Sequence, residues 1–99
     1  GGQGSYDPNT LQVADGLLFL GGSDTNESTS RAAVYIAKPA VRDTWTCVQI
    51  PHTSAKRVSA LAATNDGNSY LAVGLSDGSV IVLSYELAAK TNRLNRLSS

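Results

Sequence analysis

Chemistry in this chain would have to come from few side chains: a single histidine, His52, a single cysteine, Cys47, and eight acidic residues. A histidine serves as general base only with a nucleophile in reach, and no Gly-x-Ser-x-Gly turn accompanies His52, which therefore reads as a structural or loop histidine. Cys47 lies inside an alternating segment with no histidine near it in sequence, and reads as a small buried hydrophobe rather than a reactive thiol. Asp24-Thr25-Asn26-Glu27-Ser28 starts like a calcium loop. The glycine required at its sixth position is Thr29, however, and the bidentate glutamate at its twelfth is Tyr35, so calcium is not expected. Asn26-Glu27-Ser28 is a glycosylation acceptor triplet, which matters only in a secreted chain. Gly1-Gly2-Gln3-Gly4 lacks the Lys-Ser/Thr of a phosphate loop. Trp45 and Tyr35 could contact a partner from the surface, but burial between packed sheets is the better reading. No catalytic, cofactor or metal site is expected.

The totals agree. Eight basic and eight acidic residues balance to zero formal charge, which disfavours a nucleic-acid surface. One cysteine excludes an intrachain disulfide and a cysteine zinc cluster, so a reducing, cytoplasmic location is the simplest expectation. No apolar run approaches the roughly 20 residues that span a bilayer, and no leader of signal-peptide type is present. The chain has no methionine and is expected to be a piece of a longer protein.

The elements that position these residues are short. The clearest stretch is 70–85, where two apolar runs, 70–75 and 80–85, flank Ser76-Asp77-Gly78-Ser79. Val80, Ile81 and Val82 are β-branched and suit a pleated surface. Gly78 can take positive φ and Asp77 can bond nearby amides, which makes a hairpin. Both faces of this hairpin are apolar, so cover on both sides is expected. Residues 1–10, rich in Gly with Pro8 and Asn9, read as a flexible lead-in. Strands are expected at 11–14, 17–20, 32–37, 45–50 and 58–63, with turns at Asp15-Gly16 and at Asn65-Asp66-Gly67-Asn68. Val34 and Ile36 share one face opposite Tyr35, and Trp45, Cys47 and Gln49 alternate with Thr46, Val48 and Ile50. From Glu86 onward, Leu87, Leu94 and Leu97 fall near one side of a short C-terminal helix or charged linker.

With the loops set aside, the chain repeats. Gly21-Gly22-Ser23-Asp24 aligns with Gly74-Leu75-Ser76-Asp77, and Val34-Tyr35-Ile36 with Val80-Ile81-Val82, 46 positions on. A period in the mid-forties built of four short antiparallel strands is the size of a propeller blade, about 40–45 residues. The fold class expected is all-β: about two four-stranded antiparallel blades of a β-propeller. Residues 11–50 would form the first blade, 58–85 a second, incomplete one, and 86–99 the charged linker or helix. Two blades cannot close a ring of about four to eight, so open faces and strand edges should make the isolated chain self-associate or dissolve poorly.

Pro51-His52-Thr53-Ser54, Val58-Ser59-Ala60-Leu61-Ala62, Asn65-Asp66-Gly67 and the run from Leu71 to Val80 resemble a WD-type propeller repeat. The resemblance implies a loop lock, a hydrogen bond between His52 before the first strand and Asp77 in the turn between the second and third strands. It also places turn roles on Asp66, Gly67 and Gly78. The chain departs from that pattern: Pro51 replaces a usual glycine, one extra residue separates His52 from Val58, and Leu83-Ser84 and Ala37-Lys38 stand where Trp-Asp pairs would be. These mark a divergent propeller.

More of the chain is similar to the N-terminal propeller of the class C vacuolar protein sorting subunits shared by the HOPS and CORVET tethers, the RING-bearing kind in particular. Leu20-Gly21-Gly22-Ser23-Asp24, Thr46-Cys47, the run Val58 to Ala62, Ala72-Val73-Gly74, Gly78-Ser79-Val80 and the arginine-bearing segment Lys90 to Arg96 carry that similarity. It implies a non-enzymatic protein–protein interaction scaffold in endosome-to-vacuole or lysosome trafficking. Its partners would be other protein subunits, and the protein would be cytoplasmic or peripheral on those membranes, attached only through a complex. A helical solenoid and a zinc-binding RING would follow in the parent protein. The competing expectations are a WD-like adaptor in another complex and a fragment of a propeller enzyme. The latter would carry polar or metal-ligating residues at a central channel.

Overall fold

Turn chemistry sets the strand boundaries. Asp15 and Gly16 both have positive φ, 54° and 75°, the backbone that a two-residue hairpin loop needs to match strand twist. In the computed structural model, which describes residues 4–25, 29–39, 42–64, 69–85 and 95–96, this turn joins β1 (Gly4–Ala14) to β2 (Leu17–Asp24). Then come β3 (Arg31–Lys38), β4 (Arg42–Gln49), β5 (Val58–Ala63), β6 (Tyr70–Leu75), β7 (Val80–Ser84) and the two-residue β8 (Asn95–Arg96). The described residues contain strands and no helix. They form two antiparallel meanders, β1-β2-β3-β4 and β5-β6-β7-β8, here called sheet A and sheet B.

Three expectations change. The segment read as a flexible lead-in is strand from Gly4 onward, with Gly4 to Asp7 paired to Asp24 to Gly21. The Pro8-Asn9 composition that suggested a loop is absorbed by a register shift between Asp7 and Gln12. There the Asn9 amide donates to Asp7 Oδ1 at 2.9 Å. The buried Thr10 hydroxyl donates to the Asp7 carbonyl at 2.6 Å and accepts the Gly21 amide at 2.7 Å. One hydroxyl thus takes up the ladder bond that the irregular backbone gives up. Second, Asn95–Arg96 pair with Leu83 and Ser84 as a short fourth strand, so sheet B is not cut off after three. The rest of the expected C-terminal helix and the turn residues Asp66 and Gly67 lie outside the described residues.

The third change concerns cover. Alternation along β6 and β7 buries Leu71, Val73, Leu75, Ile81 and Leu83, followed by Tyr85. These join Phe19, Val34, Ile36, Val48 and Val58 in one apolar cluster. Sheets A and B therefore pack face to face through one inner face each, burial being the main favourable term. The opposite face of sheet B is open: Val80 is 68% and Tyr70 42% exposed. The hairpin's two apolar faces suggested cover on both sides; small residues, Ala72 and Gly74, make the second face apolar without burying it.

The sheets are also tied by polar contacts. Tyr85, in the chain just after β7, donates its hydroxyl to the Asp15 carboxylate and lies 2.9 Å from the Thr64 carbonyl oxygen, while its ring meets Phe19 edge-on at 5.0 Å. The segment between β4 and β5 is laced to β3, Ala32 donating to the Ala55 carbonyl and accepting from the Ile50 amide.

Candidate interaction faces

His52 stands exposed in the connection before β5 with φ of 59°, a left-handed backbone that costs a side-chain-bearing residue about 1 kcal/mol or more. Asp77 is exposed in the β6–β7 turn, where Gly78 has φ of 90° and donates to the Leu75 carbonyl at 3.0 Å. The Asp77 carboxylate is engaged inside its own turn: Oδ1 accepts from the Ser79 hydroxyl at 2.6 Å and the Ser79 amide at 3.0 Å. Those bonds, the hydroxyl's first, hold its carboxyl below the usual range. Gly78 sits in this turn with positive φ, and Asp77 Oδ1 accepts from Ser79, as in an Asx turn.

Cys47 is exposed, not buried as its strand position suggested, because β4 is the last strand of its sheet and Cys47 points to the outer side. There it pairs in register with Tyr35. Partial burial pushes its thiol up, against the lowering effect of the Tyr35 hydroxyl, so at neutral pH it is a protonated thiol and a poor nucleophile. Tyr35 is raised as well, chiefly by burial and then by Cys47 and Asp24, and donates its hydroxyl to the Ser23 carbonyl at 2.7 Å. Trp45, expected between sheets, is 45% exposed on the same outer side. Among the described residues, no three His, Cys, Asp or Glu side chains gather as metal ligands.

What the geometry offers instead is a pair of outer faces with different characters. The outer face of sheet A is bulky. Tyr6 packs edge-on against Tyr35 at 5.8 Å between ring centres, Trp45 and Cys47 follow on β4, and Gln49 Nε2 donates to Asp24 Oδ2 at 3.0 Å. The outer face of sheet B is small: the register sets Ala60 beside Gly74, Ala62 beside Ala72, and Val80 and Val82 across from Gly74 and Ala72. Sequence reasoning missed this pairing of a bulky with a small face. The signal was present in the alternation of Ala60, Ala62, Ala72 and Gly74, but sidedness appears only once the number of sheets is known.

Glycine shows how the inner faces fit. An added Cβ at Gly21 would lie 2.6 Å from Val58 Cγ1, so Gly21 is the notch into which Val58 of sheet B packs. A Cβ at Gly22 would collide with the Ser5 carbonyl and Tyr6 Cα of the neighbouring strand. No family model, no curated protein and no solved structure matches this chain.

Proposed function

We propose that this chain is part of a non-enzymatic scaffold for protein–protein interaction, two neighbouring blades of a divergent, WD-like β-propeller. The observation that carries the reading is the stacking of two four-stranded meanders, inner face on inner face, with one outer face of each left open. Rigid sheets of this kind hold their connections at fixed relative positions, which is how a scaffold presents loops to partners. The Cys47 thiol, its pKa raised by partial burial, is a poor nucleophile at neutral pH, in keeping with binding rather than catalysis.

The finer proposal rests on the sequence resemblance: the parent protein is a class C vacuolar sorting subunit that acts with other protein subunits to tether vesicles at endosomes and the vacuole or lysosome. It would reach the membrane through that complex. Among the described residues no helix is long and apolar enough to cross a bilayer.

Affinity capture on the full parent chain, read by mass spectrometry, tests this. The reading expects other class C subunits at stoichiometric levels, lost when the Val58-to-Tyr85 blade is replaced by an unrelated sheet. Capture of none of them, or substrate turnover by the parent's propeller, would contradict it.

A further inference from the structure

The interface inside the chain has a direction, and the strand register shows that its two halves are repeated on the outside. In sheet A, Gly21 pairs with Val34 on the inner face, the face that receives sheet B. In sheet B, the corresponding pair is Gly74 with Val80, and it lies on the outer face. Likewise, Val58 is the β5 residue paired with Leu75, next to Gly74, just before a register shift. Its counterpart is Tyr6, paired with Gly22, next to Gly21, where the register shift comes one pair later, after Asp7. Val58 is fully buried against Gly21, whereas Tyr6 is 56% exposed on the outer face of sheet A. Each sheet thus has a notched face and a knob-bearing face. One notch and one knob are joined within the chain, and one of each is left over.

The leftover notch can take a side chain. The three nearest atoms to an added Cβ at Gly74 all belong to Ala60, the closest at an ordinary contact distance of 3.4 Å, and the flanking Ala62 and Ala72 have no long side chain to close it. Heterologous surfaces that complement each other on one molecule join copies head to tail, into rings when the rotation closes and filaments when it does not. We infer that the occupant of the outer face of sheet B is the outer face of sheet A of a second copy, Tyr6 seating over Gly74 as Val58 seats over Gly21. The contact continues the interface the chain already contains and is argued from the strand register; it concerns the 99-residue chain by itself, since in a longer propeller the next blade of the same polypeptide would take this place.

Sedimentation equilibrium of the 99-residue chain across a hundredfold concentration range tests this, with far-UV circular dichroism to confirm folding. The wild-type mass should rise with concentration past that of a dimer. Tyr6→Ser, which removes the knob, and Gly74→Val, which fills the notch, should each weaken association at least tenfold. Mixed together, the two variants should form a one-to-one dimer that grows no further, because the Gly74→Val copy still carries Tyr6 and the Tyr6→Ser copy still carries an open Gly74. A wild-type chain that is monomeric throughout, or that stops at a dimer, overturns the inference. So does association that both variants leave unchanged, as pairing through a strand edge or unspecific aggregation would.

Discussion

Gly21 and Gly74 occupy the same register position in two similar sheets, and their surroundings differ completely. Gly21 is buried with Val58 pressed into it, while Gly74 is half-buried and a Cβ there would meet Ala60 only at ordinary contact distance, 3.4 Å. The local sequence is therefore not what decides burial here: a small residue opposite a valine is core in one sheet and surface in the other. What decides is whether another sheet lies on that side, a tertiary fact that strand pattern alone does not carry.

The largest test of this contrast compares neighbours on one strand. Leu83 is fully buried, and Val82, half-buried, lies on the other face of the sheet. Leu83→Ala should cost about 3 kcal/mol, the usual range for a core leucine, and Val82→Ala well under about 1 kcal/mol, both read from urea unfolding in dilute protein. Equal costs would mean that the outer face of sheet B is covered in the monomer.

Next come the two glycines. Gly21→Val drives methyl groups into Val58 and should destabilise by about 2 kcal/mol, as overpacking does. Gly74→Val should be neutral or stabilising by about 0.5 kcal/mol, since a β-branched residue replaces a flexible one in a strand. Thermal melts of the pair give the sign directly.

A smaller effect is expected at the bridge between the sheets. Tyr85→Phe removes the hydroxyl that reaches both Asp15 and Thr64 and should cost about 1 kcal/mol, since both acceptors lie near solvent and rehydrate in part. A loss near zero would mean that packing of the ring on Phe19 alone holds that corner.

The smallest effect is electrostatic and belongs to the exposed β6–β7 turn. The folded Asp77 carboxyl is lowered by its Ser79 bonds. Its stabilising contribution is therefore present above its unfolded value, about 3.9, and lost as pH falls through the folded one. The stability difference between wild type and Asp77→Asn should shrink as pH drops from 5 to about 3. A gap that holds constant over that window would show that the carboxylate charge plays no part in the turn.

Much of the fold was legible. The strand at Tyr70–Leu75 follows from an apolar run ended by a turn segment, Asp15-Gly16 from turn chemistry, and the Gly21/Gly74 repeat from simple alignment. The first seven residues of β1 were not, because Gly, Pro and Asn carry no strand signal and their pairing is rescued by one hydroxyl, Thr10. The exposure of Trp45 and Cys47 was missed for the reason that misread the hairpin: alternation reveals two faces of a strand without saying which is covered. Of the outer faces, the small residues Ala60, Ala62, Ala72 and Gly74 were visible in the sequence, whereas Tyr6 sat in a segment that read as a tail.

The contact that the whole account turns on is Val58 against Gly21. In a dilute, uniformly labelled sample, nuclear Overhauser spectroscopy should show cross-peaks between the Val58 methyls and the Gly21 α protons, with the Val80 methyls broadened by a soluble paramagnetic agent and the Val58 methyls spared. Absence of those cross-peaks together with strong broadening at Val58 would mean that the two sheets do not stack through these faces.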